Sequence, residues 1–150
     1  MRALVQRVAR AEVRLGDEGV AVGAIGRGLL VLLGVAPADG ADEVAWVADK
    51  IAHLRVFEDD AGKMNRALAD VRGGVLVVSQ FTLYGDVRGG RRPGFAAAAR
   101  PDVAEPRYLE VVERLRGHGF DVATGAFGRA MHVESVNDGP VTLWLDTDAR

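Results

Sequence analysis

Cysteine is absent from this 150-residue chain, which excludes a disulfide scaffold, a thiolate nucleophile and any cysteine-held zinc or iron–sulfur centre. Charge of one sign is also lacking. Nineteen basic and twenty-one acidic side chains leave a formal charge of −2, so the chain does not grip nucleic acid by bulk charge, although a local basic patch stays open to it. Long apolar runs are missing too. The longest, Leu29 to Val35, is interrupted by Gly34 and falls well short of the roughly 18–20 residues a membrane span requires. The segment Met1-Arg2-Ala3-Leu4-Val5-Gln6-Arg7 has no signal-like apolar stretch, so a soluble cytoplasmic protein with no membrane partner is expected. The three histidines, His53, His118 and His132, show no metal-ligand spacing. Neither a GxSxG elbow nor a Walker loop nor a strand-following GxGxxG is present, so no metal and no cofactor are expected.

What is there fits one α/β domain spanning 1–150. With 49% hydrophobic and 27% charged residues, a chain of this length can bury roughly 68–70% of its unfolded surface. Ala3–Val8 and Glu12–Leu15 have strand character; Gly16-Asp17-Glu18-Gly19 supplies a turn and Val20–Val22 resumes extension, which predicts a hairpin. Leu29–Val35 and Val75–Val78 read as strands buried on both faces. Asp39 or Asp42 can cap a helix whose stripe is Val44, Val47, Ile51 and Leu54. Phe57–Lys63 reads as a polar turn, Ala96–Ala99 as a turn or two of helix, and Pro106 as the first residue of a helix striped by Leu109, Val112 and Leu115 and ended by Gly117-His118-Gly119. Asp121–Asp146 returns to strand patterning. The expected architecture is a mixed, barrel-like set of β-layers with two main helices on one side.

Several polar groups have ordinary explanations. His53 belongs to the first helix as a structural residue, and Glu58-Asp59-Asp60 reads as a solvated turn rather than a cation site. Two segments are less easily dismissed. Ser79-Gln80-Phe81-Thr82-Leu83-Tyr84 puts three neutral hydrogen-bonding side chains at the end of a buried strand. They can rim a polar pocket whose backbone N–H groups face a ligand oxygen, or they can cap local backbone; the spacing leaves both open. Asn137-Asp138-Gly139-Pro140-Val141-Thr142 favours a hairpin turn on its residues alone; a cis Gly139–Pro140 bond, with its two carbonyls turned to similar directions, is the alternative.

Together these segments closely resemble the paired signature of the D-aminoacyl-tRNA deacylases of the bacterial and eukaryotic type. The likeness extends to Met1–Val8, Gly28–Val35, Phe57-Glu58-Asp59, Gly62-Lys63-Met64-Asn65, Arg92-Pro93 and Thr124–Gly128. The resemblance implies a hydrolase acting in trans on the ester between a D-amino acid, or mischarged glycine, and the tRNA 3′ end. It implies a homodimer in which a cis Gly139–Pro140 pair reaches into the partner's site, its carbonyls reading the α-amino group while an L side chain is excluded sterically. It assigns the backbone N–H groups near Phe81 and Thr82 to the developing oxyanion and Gln80 to the terminal ribose, with Ser79 completing the motif. Two routes are compatible with it: the Thr82 hydroxyl as nucleophile, or an activating role for the tRNA's own 2′-hydroxyl, which is preferred because neither motif offers an evident base for Thr82.

The chain departs from the family pattern at Gly90-Arg91-Arg92-Pro93-Gly94-Phe95, where Gly-Asn-Arg-Pro-Ser-Phe is common, and at Arg129, where a small residue is usual. Arg88, Arg91, Arg92 and Arg129 can form a phosphate-binding patch or a solvated loop. A non-catalytic tRNA- or RNA-binding module built on that loop is the alternative function, against which stands the lack of RRM or KH motifs.

Overall fold

One long strand organises the molecule. In the computed structural model, which describes residues 1–16 and 19–150, β1 (Arg2–Leu15) pairs antiparallel along its whole length with β8 (Met131–Asp146). Its opposite edge is shared in sequence by β3 (Gly28–Gly34) and β2 (Ala21–Ile25). Ala3–Val8 and Glu12–Leu15 are therefore two stretches of a single strand. The expected hairpin forms between β1 and β2, although its turn at Gly16-Asp17-Glu18-Gly19 lies partly outside the described residues. Beyond β3 the sheet continues in parallel through β6 (Gly74–Ser79) and β7 (Val122–Thr124), giving a mixed sheet. β7 curls back against β2: a Cβ on Gly23 would lie 2.2 Å from the Thr124 carbonyl oxygen, so only glycine permits that approach. The result is a nearly closed, barrel-like sheet.

The two-residue period of the buried strands separates two cores. Leu29, Val31, Leu33, Val75 and Val77 face α1 (Ala41–His53) and α2 (Pro101–Gly117), which pack on that side with Phe57, Leu68 and Leu115. Leu30, Leu76 and Val78 face the barrel interior with Val8, Ala11, Val13 and Ile25. Both faces are apolar, so these strands read as continuous hydrophobic runs in the sequence.

Several local expectations are corrected. The N-cap of α1 is Gly40, whose N–H donates to the Glu43 carboxylate at 2.9 Å, while Asp42 sits in the first turn. Asp39 is buried and engaged elsewhere, accepting from the Met1 ammonium at 2.6 Å and from the Ala36 N–H at 2.6 Å. α2 begins at Pro101 and carries Pro106 within it; the residue before Pro101, Arg100, is extended, as a following proline requires. Its buried stripe is Tyr108, Val111, Val112 and Leu115, leaving Leu109 exposed one residue round the helix. Ala96–Ala99 make a turn only, because the Ala99 N–H is drawn to the Val35 carbonyl at 2.8 Å. Phe57–Lys63 is more than a turn: β4 (Phe57–Glu58) pairs with β5 (Met64–Arg66). Asp59 organises the connection, accepting from the Ala61 and Lys63 N–H groups and the Asn65 amide.

No helix among the described residues is long and apolar enough to cross a membrane.

Candidate functional site

β6 emerges from the core at Ser79 and turns at once. The Gln80 N–H still follows the sheet, donating to the Leu33 carbonyl at 2.8 Å, after which Phe81–Tyr84 wind into a single 3-10 turn. Tyr84 is buried and anchors the far end, its phenol pushed up out of the ordinary range first by desolvation and then by the Asp39 carboxylate. Two glycines allow the turn to lie close to its neighbours. A Cβ on Gly34 would stand 3.0 Å from the Gln80 carbonyl oxygen, and one on Gly85 the same distance from that of Thr82.

The opening of a helical turn leaves its first N–H groups without intrahelical acceptors. Here the Leu83 N–H donates to the Gln80 carbonyl and the Gly85 N–H to the Thr82 carbonyl, but those of Phe81 and Thr82 meet no protein acceptor among the described residues. Two adjacent donors thus stand free at the exposed end of a rigid strand. Around them, the Phe81 ring is 54% exposed and packs edge-on against Phe95 at 5.0 Å. The Gln80 side-chain amide is hydrogen-bonded to the Thr82 hydroxyl. No carboxylate or imidazole of the described residues hydrogen-bonds Thr82, so the hydroxyl has no base to activate it. Such a pair of donors can hold an oxygen that gains negative charge.

The second motif lies elsewhere. The hairpin turn favoured by its residues is not formed: β8 runs unbroken through Asn137–Thr142, bulging where it passes Arg7 and resuming its pairing with β1 on either side. The Gly139–Pro140 bond is cis. Beneath it lies Arg7, 6% exposed, whose Nε donates to the Asp138 carbonyl at 3.0 Å and whose Nη1 donates to the Val56 carbonyl at 2.7 Å. The Asp138 carboxylate approaches Nε at 3.4 Å and that of Glu58 approaches Nη2 at 3.9 Å. Gly139 has φ +123, and a Cβ there would lie 2.9 Å from Arg7 Nη2, so both backbone and space call for glycine. Sequence reasoning missed Arg7. The signal was its register, since the alternation of Ala3 and Val5 puts it on their buried face.

Within one chain the two motifs do not meet. Gly139 passes β1 at Arg7, whereas Ser79 is three strands away at the level of Ala3, a separation of about 20 Å by ordinary sheet spacings.

The arginines also divide. Arg88 is clamped to Asp86 by two side-chain hydrogen bonds of 2.9 and 2.7 Å, which draw the Asp86 carboxyl down to about 2. Arg91 and Arg92 are exposed, and Arg92 lines a cavity of about 380 Å³ with Tyr84, Asp86 and Gly94. Arg129 sits apart, on the β7–β8 connection. His53 lies at the C-terminal turn of α1, against the ring of His118. No cluster of three or more His, Cys, Asp or Glu able to hold a metal occurs among the described residues.

Known proteins match this chain over nearly its whole length. A family model described as D-Tyr-tRNA(Tyr) deacylase matches residues 4–146. The D-aminoacyl-tRNA deacylase of Anaeromyxobacter dehalogenans (strain 2CP-C) is 60% identical over 147 residues, covering 98% of this chain and 97% of that protein. That of Thermus aquaticus is 56% identical over 150 residues, covering 100% and 97%. Among solved structures, the c-Myc DNA Unwinding Element Binding Protein superposes with a TM-score of 0.90 at 42% identity, covering 98% of this chain and 99% of that one.

Proposed function

The chain belongs to the D-Tyr-tRNA(Tyr) deacylase family, and we propose that its paired Phe81 and Thr82 amides carry the hydrolysis of D-aminoacyl-tRNA. It is a hydrolase of translation proofreading, cleaving the ester that joins a D-amino acid to tRNA and releasing both. The observation that carries the site assignment is the pair of unpaired N–H groups at the end of β6. As the ester carbonyl is attacked, its oxygen takes up charge that these donors receive; losing one such donor typically costs about 2.7–4 kcal/mol of barrier. An aminoacyl ester is already labile, so holding it against the donors supplies much of the remainder. With Thr82 bound to Gln80 rather than to a base, the attack falls to water assisted by the substrate's own 2′-hydroxyl. Gln80 places the terminal ribose. Glycine mischarged on tRNA, which has no side chain to reject, is a substrate as well.

Selection against L-amino acids belongs to Gly139 and Pro140, delivered by a second copy of the chain. The separation of the motifs within one chain supports this, as does β8, an outer strand that exposes Val133, Val136 and Trp144. A homodimer would bring the Gly139–Pro140 carbonyls over the partner's strand end, where they accept from the α-ammonium and leave no room for an L side chain. Arg91 and Arg92 contact tRNA phosphates, which reconciles RNA binding with a net charge of −2. Such an enzyme works in the cytoplasm, where aminoacyl-tRNA is made, and needs no cofactor.

The deciding assay incubates the purified protein with D-tyrosyl-tRNA and L-tyrosyl-tRNA. Rapid loss of the D-ester alone is expected; background-rate loss of both would sink the assignment. Salt-sensitive tRNA binding without cleavage would favour a binding module instead.

A further inference from the structure

The strand-end turn is held from outside by one side chain. Arg2, on β1, donates from Nη1 to the Leu83 carbonyl at 3.1 Å; among the described residues no other side chain from outside the turn hydrogen-bonds the backbone of Phe81–Tyr84. The rest of the guanidinium is fixed on three sides. Nε donates to the Asp146 carboxylate at 3.1 Å, the plane lies 4.4 Å over the Tyr84 ring, and the half-exposed Trp144 ring stands at 5.8 Å. One planar fork therefore ties β1, β8 and the turn together, a geometry that an ammonium on a flexible stem does not reproduce. Its charge also sits at the carbonyl end of the turn, the favourable end for a cation, opposite the end that presents the free amides.

We propose that Arg2 is a positioning residue for the Phe81 and Thr82 amides. It touches no reacting atom; it sets the tilt of the turn and thus where the two donors converge. This rests on the hydrolytic reading of the strand end given above. Misplacement of catalytic groups by about 1 Å can cost about 100-fold in rate, so loss of the Leu83 bond is expected to appear in kcat. Substrate binding through remote tRNA contacts is expected to survive.

The test compares wild type, Arg2→Lys, Arg2→Met and Asp146→Asn on D-tyrosyl-tRNA, well below each protein's Tm. Arg2→Lys keeps a charge beside Asp146 but loses the fork. It is expected to lower kcat about tenfold with KM within about twofold, and Arg2→Met to lower it further. In amide NMR spectra of Arg2→Lys and Asp146→Asn, the Phe81 and Thr82 resonances should shift while that of Gly23 stays put; this holds even if Arg2→Met fails to fold. Full kcat in Arg2→Lys would overturn the proposal, because charge alone would then suffice. A raised KM with a salt dependence of tRNA binding reduced by about one ion would also overturn it, making Arg2 a phosphate contact. If wild type itself spares D-tyrosyl-tRNA, the hydrolytic reading has failed; if wild type is active and the variants match it, only the role of Arg2 has.

Discussion

The two motifs of this protein are built in opposite ways. Ser79–Tyr84 ends a central parallel strand whose residues Val75–Val78 are buried, and its position is set first by backbone, through sheet pairing to Leu33, a tight turn and two glycines that allow close approach, with Arg2 holding only the Leu83 carbonyl at its far end. Asn137–Thr142 rides on the outermost strand as a bulge, is mostly exposed, and is pinned from below by one buried arginine. The first leaves the Phe81 and Thr82 N–H groups free as donors; the second, in the function proposed above, supplies carbonyl acceptors. A donor pair for an oxyanion has to hold still within tenths of an ångström, which a core strand provides. A surface that meets a second copy, as proposed for Gly139 and Pro140, has to be accessible, and an edge strand provides that.

The contrast breaks most readily at Arg7. Replacing it by Met removes the donors to the Val56 and Asp138 carbonyls while keeping much of the stem's volume. Leaving buried carbonyls unpaired and losing the guanidinium's packing should cost about 3 kcal/mol of stability, read by urea denaturation. Because the bulge above Arg7 is freed while β6 is not, discrimination between D- and L-tyrosyl-tRNA should fall more than D-specific kcat. An Arg7→Met chain that loses stability but discriminates as well as wild type would show that the bulge needs no support from below.

A smaller effect is expected at the other motif. Thr82→Ala removes a hydroxyl whose partner is Gln80 but leaves the Thr82 N–H in place. If the amides do the work, kcat should stay within about tenfold of wild type, about 1.4 kcal/mol of barrier. Complete loss of turnover with intact fold and tRNA binding would make Thr82 the nucleophile, and the donor pair secondary.

These differences also explain what could be read from the chain beforehand. Strands such as Leu29–Leu33 and Val75–Val78 announce themselves because both faces are apolar. The hydrogen-bonding side chains of Ser79–Thr82 are conspicuous after such a run. What local sequence could not show is set by partners distant in the chain. Asp39 looks like a helix cap until the Met1 ammonium, thirty-eight residues earlier, is found on it. Asn137-Asp138-Gly139-Pro140 has turn composition, but β1 pairs with β8 on both sides of it and keeps the strand running. Arg7 was legible only in part: its register is local, whereas the carbonyls it serves lie on segments far along the chain. Pro106 misled because a proline permitted within a helix and one starting it look alike until Arg100–Pro101 is seen to fix the beginning.

The finest test of the comparison is pH, where both motifs should be nearly silent. Main-chain amides and carbonyls do not titrate, and the clearly shifted groups nearby all move away from neutrality. Asp86 is drawn down to about 2, mainly by its hydrogen bonds to Arg88, so what the pair contributes to ordering its loop is present above the ordinary aspartate value and lost only as pH falls toward 2. Tyr108, whose hydroxyl donates to the Val77 carbonyl, is pushed up to about 12 by burial. Unfolded tyrosine ionises near 10, so folding is favoured below that value and the advantage is lost as pH rises from about 10 toward 12. The ratio of catalysed to spontaneous hydrolysis of D-tyrosyl-tRNA should therefore vary by less than about threefold from pH 5.5 to 7, since no acid or base of the enzyme is assigned to the reaction; any fall above that belongs to the substrate's own α-ammonium, which titrates toward the ordinary α-amino range of about 7.7–8.0. A sigmoid centred near 6.5 would reveal a histidine at work. Within one chain the three histidines lie away from the β6 strand end: His53 and His118 meet ring to ring near the ends of α1 and α2, and His132 sits beside Gly16.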